Sequence, residues 1–154
     1  MSLSSNLGAL SLVLTTALGA FPARAALGET EASIARDRRA LSAAGMATTP
    51  QAAYTVHELT SSGLTVREYV SADGVVFAVT WGGMGQPDLS LLLGPYADEY
   101  RLAAERTPKV KGQHARRIAG AHLVVERWGH MRDLHGRAYL PDLVPQGVTI
   151  DEIR

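Results

Sequence analysis

The chain has 154 residues, 46 % of them hydrophobic and 19 % charged, with 15 Lys+Arg against 15 Asp+Glu. That describes one globular domain, and its even charge gives no electrostatic pull toward nucleic acid. Cysteine is absent, which excludes disulfides, thiolate catalysis, cysteine-bearing zinc sites and lipoprotein anchoring.

Residues 7–21, LGALSLVLTTALGAF, are apolar and uncharged. They number only about 15, where a transmembrane helix needs about 20. Pro22 breaks the run, and Ala23 and Ala25 place small residues at the −3 and −1 positions of an A-x-A cleavage site. Residues 1–25 therefore read as a secretory signal, although MSLSSN carries no Lys or Arg. Cleavage removes one arginine and no acid, so the mature domain carries one net negative charge. The expected address is periplasmic or secreted, with no stable membrane span after cleavage. If the leader is not cleaved, the alternative is a domain anchored by residues 7–21.

Residues 29–44, rich in Ala, Glu and Arg with Gly45 as a stop, predict an N-terminal helix with a thin apolar stripe. Residues 46–53 around Pro50 read as a linker. YTVHELT (54–60), LTVREYVS (64–71) and VVFAVTW (75–81) then predict three strands joined by short glycine-ended turns, an antiparallel meander. Period-two alternation assigns Val66, Phe77, Val79 and Trp81 to its more apolar face. After a loop at 82–87, Asp88 is placed to cap a helix whose buried face is Leu89, Leu92, Leu93, Tyr96, Tyr100 and Ala103. Gly94-Pro95 should kink it between 88–93 and 95–106. Residues 122–131 and 136–141 read as a hairpin closed near Asp133–Gly136, and 149–153 as a short helical turn.

The expected fold is α+β: an antiparallel sheet of about five strands, with one kinked helix packed on one face and an N-terminal helix before it. The chain divides into a signal (1–25), an N-terminal helix and linker (26–53) and an α+β domain (54–154).

Little in this sequence points to chemistry. Gly82-Gly83-Met84-Gly85 lacks the G-x-G-x-x-G spacing, and the P-loop lysine is missing. Glu58, Glu68 and Glu126, with Arg67 and Arg127, read as cross-strand charge pairs on the wet face rather than as catalytic acids. The clusters Arg36, Arg38, Arg39 and Lys109, Lys111, Arg116, Arg117 read as solvated surface. His122 and His130 lie roughly 26 Å apart along an extended strand and cannot share an ion. The nearest approach to a metal set is His130, Asp133 and His135, two nitrogens and one carboxylate. No catalytic residue and no cofactor is assigned. The aromatics Trp81, Tyr96, Tyr100 and Trp128 could line an interaction groove between helix and sheet.

The run VVFAVTWGGMGQPDLSLLLG (75–94), the upstream TSSGLTVREYVSADG (60–74) and the downstream GRAYLP (136–141) with DEIR resemble domain-of-unknown-function family 2844, small secreted proteobacterial proteins. The resemblance covers residues 26–154. It implies export and a single domain, but no activity, substrate or catalytic residue. The favoured reading is an exported, non-enzymatic domain that contacts a protein partner, envelope polymer or small ligand through an uncovered sheet face or an open strand edge. An exported hydrolase-like or metal-dependent enzyme using His130, Asp133 and His135 is the alternative.

Overall fold

The structure, a computed structural model, describes residues 27–154 apart from 111 and 113. Alternating β-branched and aromatic residues with glycine-ended turns produce the predicted meander: β2 (Tyr54–Ser61), β3 (Leu64–Ser71) and β4 (Val76–Gly83), all antiparallel. Gly63 and Gly74 close its two turns at φ +77°, a backbone region where a side chain costs energy.

The sheet is larger than expected. Among the described residues seven strands run in the order β1-β2-β3-β4-β7-β6-β5, with β1 at Gly45–Pro50, β5 at Arg116–Ala119, β6 at Val124–His130 and β7 at Asp133–Tyr139. Residues 46–50, expected to be linker, form the outer strand of a hairpin with β2. The β6–β7 hairpin also turns earlier than expected. His130 pairs with Asp133, so Met131 and Arg132 make the turn and Asp133–Gly136 belong to β7.

The long N-terminal helix expected at 29–44 does not form. A 3₁₀ turn at Glu31–Ser33 leads into a seven-residue helix, α1 (Ile34–Ala40). A stripe with so few apolar side chains cannot hold a longer helix to the core. The residues before it strap to the sheet instead: Gly28 N donates to Val76 O at 2.7 Å, and Val76 N to Glu29 O at 2.9 Å.

Asp88 caps α2 (Leu89–Leu93), its side chain accepting from Ser90 N. After the Gly94–Tyr96 turn the chain continues as α3 (Ala97–Arg106). This kinked unit carries the chain from β4 at mid-sheet to β5 at the far edge. Leu92 and Leu93 meet Leu59, Val66, Val79, Trp81 and Val125 in one cluster, with Tyr96 and Tyr100 packed against it.

A second cluster lies on the opposite face, covered by the C-terminal tail rather than a helix. Tyr69, Phe77, Ala78, Val124, Tyr139 and Ile153 form it, flanked by Tyr54, Val144, Val148 and Ile150. Phe77 therefore leaves the face that alternation assigned it. The register slips between Tyr69↔Ala78 and Val70↔Val76, so Phe77 is the extra residue of a β-bulge and the alternation resets across it.

One carboxylate organises the β5–β6 turn. Glu99 on α3 accepts from His122 N (2.7 Å) and Leu123 N (3.1 Å) and lies 3.2 Å from His122 Nδ1. Burial alone would raise its pKa, but these donors together hold it below the usual carboxylate value. A lowered folded pKa stabilises the fold above the unfolded value and ceases to do so as pH falls through the folded one. Glu99→Ala should therefore cost about 1–2 kcal/mol at neutral pH. In urea melts the gap from the parent protein should narrow at pH 3.

Candidate binding surfaces

The tail covers only part of the second sheet face. Beyond it the strands present a polar strip with one aromatic stack. Arg67 Nε contacts Glu58 Oε2 at 2.7 Å across β2–β3. Glu126 is shared by Arg117 (2.9 Å) and Arg137 (2.5 Å). Glu58 and Arg67 make the cross-strand pair expected of them, but Glu126 takes Arg117 and Arg137 rather than the expected Arg127, which stands opposite Gly136 on the helix-bearing face. Glu68 departs from that expectation. It falls on the helix-bearing face opposite His57 and is fully buried.

Trp128 and His135 face each other across β6 and β7. Their rings are stacked, 6.2 Å between centroids and 14° between planes. The Arg137 guanidinium lies 5.9 Å from the Trp128 ring centroid, within cation–π range, and is tethered by donating to Ile150 O at 2.6 Å. His135 Nε2 lies 2.8 Å from Asp133 Oδ1. Gly82, opposite His135 on β4, leaves room for the imidazole, because a Cβ there would stand 2.7 Å from Nδ1. Trp128 keeps 38 % of its surface exposed and Met131, in the adjoining turn, 93 %. Arg132 in that turn holds φ +68° without being glycine, a strained conformation of the kind that gathers at functional sites.

A second surface lies between α1 and the β1–β2 hairpin on the helix-bearing face. This groove of about 560 Å³ is lined by Ile34, Ala35 and Met46, with Arg38 and Arg39, and has His57 in its wall. His57 is buried, its Nδ1 3.0 Å from Thr48 Oγ1 and its Nε2 3.1 Å from Glu31 Oε1.

The aromatics proposed from sequence do not converge on one groove. Trp81 and Trp128 border one cleft of about 220 Å³ together with His135 and Arg127. Tyr100 lines a separate hollow beside Pro87 and Leu89, and Tyr96 packs over Gly28. Of the histidines, His135 meets Asp133, whereas His130 is its neighbour only in strand register. Among the described residues no group of three or more His, Asp or Glu is placed to hold a metal ion. Ala23 and Ala25 lie outside the described residues. No helix among the described residues is long and apolar enough to cross a membrane. Arg137 and His57 are residues of these surfaces that are not among the sequence-derived candidates. Arg137 had a signal, because it sits two positions from His135 and so on the same strand face. His57 had none, its partners coming from distant segments.

The fold and its surfaces define an α+β domain with a single antiparallel sheet, helices on one face and a peptide tail on the other. The family model described as Protein of unknown function (DUF2844) matches residues 23–153, and the chain belongs to that family. No curated protein and no solved structure matches it.

Proposed function

We propose that this protein is an exported, non-enzymatic binding domain whose open sheet face holds a ring-bearing ligand, a sugar of an envelope polymer being the chemistry that fits best. The observation that carries the reading is the Trp128–His135 stack. An indole is left facing solvent, braced by Arg137 and by the Asp133-bound imidazole. A flat aromatic face ringed by charged hydrogen-bonding groups is how proteins hold pyranose rings, with the apolar C–H face on the indole and hydroxyls on the rim. Export is supported by residues 7–25, and the family match begins at residue 23, beside the expected cleavage site.

Fluorescence reads the site directly, because Trp81 is buried and Trp128 is not. Titration of the mature domain with soluble peptidoglycan fragments should shift Trp128 emission to the blue and protect it from acrylamide. Trp128→Ala should abolish binding while leaving the circular dichroism unchanged. Emission and quenching that do not respond would refute the site, and an intact mass that still includes residues 1–25 in the exported fraction would refute cleavage.

A further inference from the structure

The two edges of the sheet are built differently. β5 is four residues long and carries Arg116 and Arg117, and Arg116 is turned onto the C-terminal end of α3, donating to Ala104 O at 3.0 Å and to O of the capping Thr107 at 2.8 Å. A short, charged strand is a guarded edge. β1 is longer, and every one of its residues is exposed. No Asp, Glu, Lys or Arg occurs from Ala40 to Val56.

The ladder shows which backbone groups β1 leaves open. Gln51 N donates to Tyr54 O at 2.8 Å, and the register continues through Thr49↔Val56, Ala47↔Glu58 and Gly45↔Thr60. Backbone groups alternate in direction along a strand, so those of Ala47 and Thr49 turn toward β2. Those of Met46 and Thr48 turn outward. Pro50, at the next outward position, has no N–H to offer.

We propose that β1 pairs antiparallel with β1 of a second copy of this chain, on a two-fold axis through Ala47, joining the two sheets into one. The open groups select the register. With Ala47 on the axis, Met46 of each copy faces Thr48 of the other, and all their outward N–H and C=O groups are satisfied. Centring on Thr48 would instead set Met46 against Pro50 and lose a donor on each side. The mating strand must be uncharged and open along one edge. Among the described strands β1 alone meets both conditions. Met46, at the mouth of the groove beside Ile34 and Ala43, meets its own symmetry mate diagonally across the junction. Such an isologous contact closes on itself, and the guarded β5 edges prevent the sheet from growing further.

The absence of cysteine makes this testable by cross-linking. On the axis, Ala47 faces Ala47 of the second copy as a non-hydrogen-bonded pair, with Cα atoms about 4.5 Å apart, inside disulfide reach. The two Thr49 Cα atoms would be roughly 14 Å apart and out of reach. Under mild oxidation Ala47→Cys should therefore convert to a covalent dimer several times faster than Thr49→Cys. Light scattering of the parent protein should give twice the chain mass. Met46→Glu and Met46→Lys should each be monomeric with unchanged circular dichroism, and an equimolar mixture of the two should regain the dimer. A parent protein that stays monomeric at millimolar concentration would overturn the proposal. So would a dimer in which Ala47→Cys cross-links no faster than Thr49→Cys.

Discussion

Gly136→Ala should destabilise the domain by about 2–3 kcal/mol, the cost of forcing a methyl group into a filled site. Gly136 lies opposite Trp81 on β4 and Arg127 on β6. A Cβ there would overlap Cζ2 and Cε2 of the Trp81 indole and stand 2.9 Å from Glu126 O. Neither neighbour can yield cheaply. The indole is buried in the main cluster, and the carbonyl belongs to a strand paired on both sides. Gly45→Ala is the control, because a methyl group there would meet nothing within 4 Å and its φ is not positive; it should be neutral in urea melts. Trp81→Leu removes the colliding ring, so the double variant should lose clearly less than the sum of the two single losses. A Gly136→Ala protein that melts with its parent would rule out this packing of β7 on Trp81. The position also bears on function. The hairpin that displays Trp128 and His135 on one face is seated on the core through Gly136 and Trp81 on the other.

How much of this was legible in the sequence depends on how each element is held. The β2–β3–β4 meander and the kinked helix were legible because local pattern and tertiary role agree there. Alternating residues meet a half-buried sheet, and the apolar stripe from Leu89 to Tyr100 meets the core. β1 was not, because a strand exposed along its whole length shows no alternation. Only pairing with β2 makes Gly45–Pro50 a strand. β5 buries Ile118 alone and offers four residues of pattern. The bulge at Phe77 is a property of the pairing between two strands, which neither strand shows by itself.

The site divides along the same line. Trp128, Asp133 and His135 stood out as residue types, and their hairpin was expected. The two-residue turn at Met131–Arg132 decides who faces whom: it sets Trp128 against His135 and leaves His130 beside Asp133 only in register. Placing the closure near Asp133–Gly136 hides that stack. His57 shows the opposite case. Its neighbours Thr48 and Glu31 come from an edge strand and from a turn before a helix, and no spacing rule links those segments.

Phe77→Ala is expected to be the most damaging single truncation, costing about 3–5 kcal/mol. The side chain is fully buried and touches Tyr54 edge-on, with ring centroids 5.9 Å apart, and Tyr69 at 6.3 Å. It sits where the bulge delivers it, beneath a tail held on by the same cluster through Ile153, Val148 and Ile150. Losing the ring should therefore unseat the tail before the sheet. Hydrogen exchange should speed up first at residues 148–153, and Phe77→Leu, which refills most of the volume, should restore most of the protection. Polar anchors of the tail include Tyr69, whose hydroxyl donates to Arg154 O at 2.6 Å, Arg67, which donates to the same oxygen at 3.1 Å, and Arg137, which donates to Ile150 O. Arg137 is also the group that braces the Trp128 ring. A tail that lifts off thus leaves the guanidinium beside the indole held by Glu126 alone, and Phe77→Ala should make Trp128 more accessible to acrylamide although the two side chains lie in different parts of the face. Faster exchange in the tail with unchanged Trp128 quenching would break that link between the second cluster and the open face.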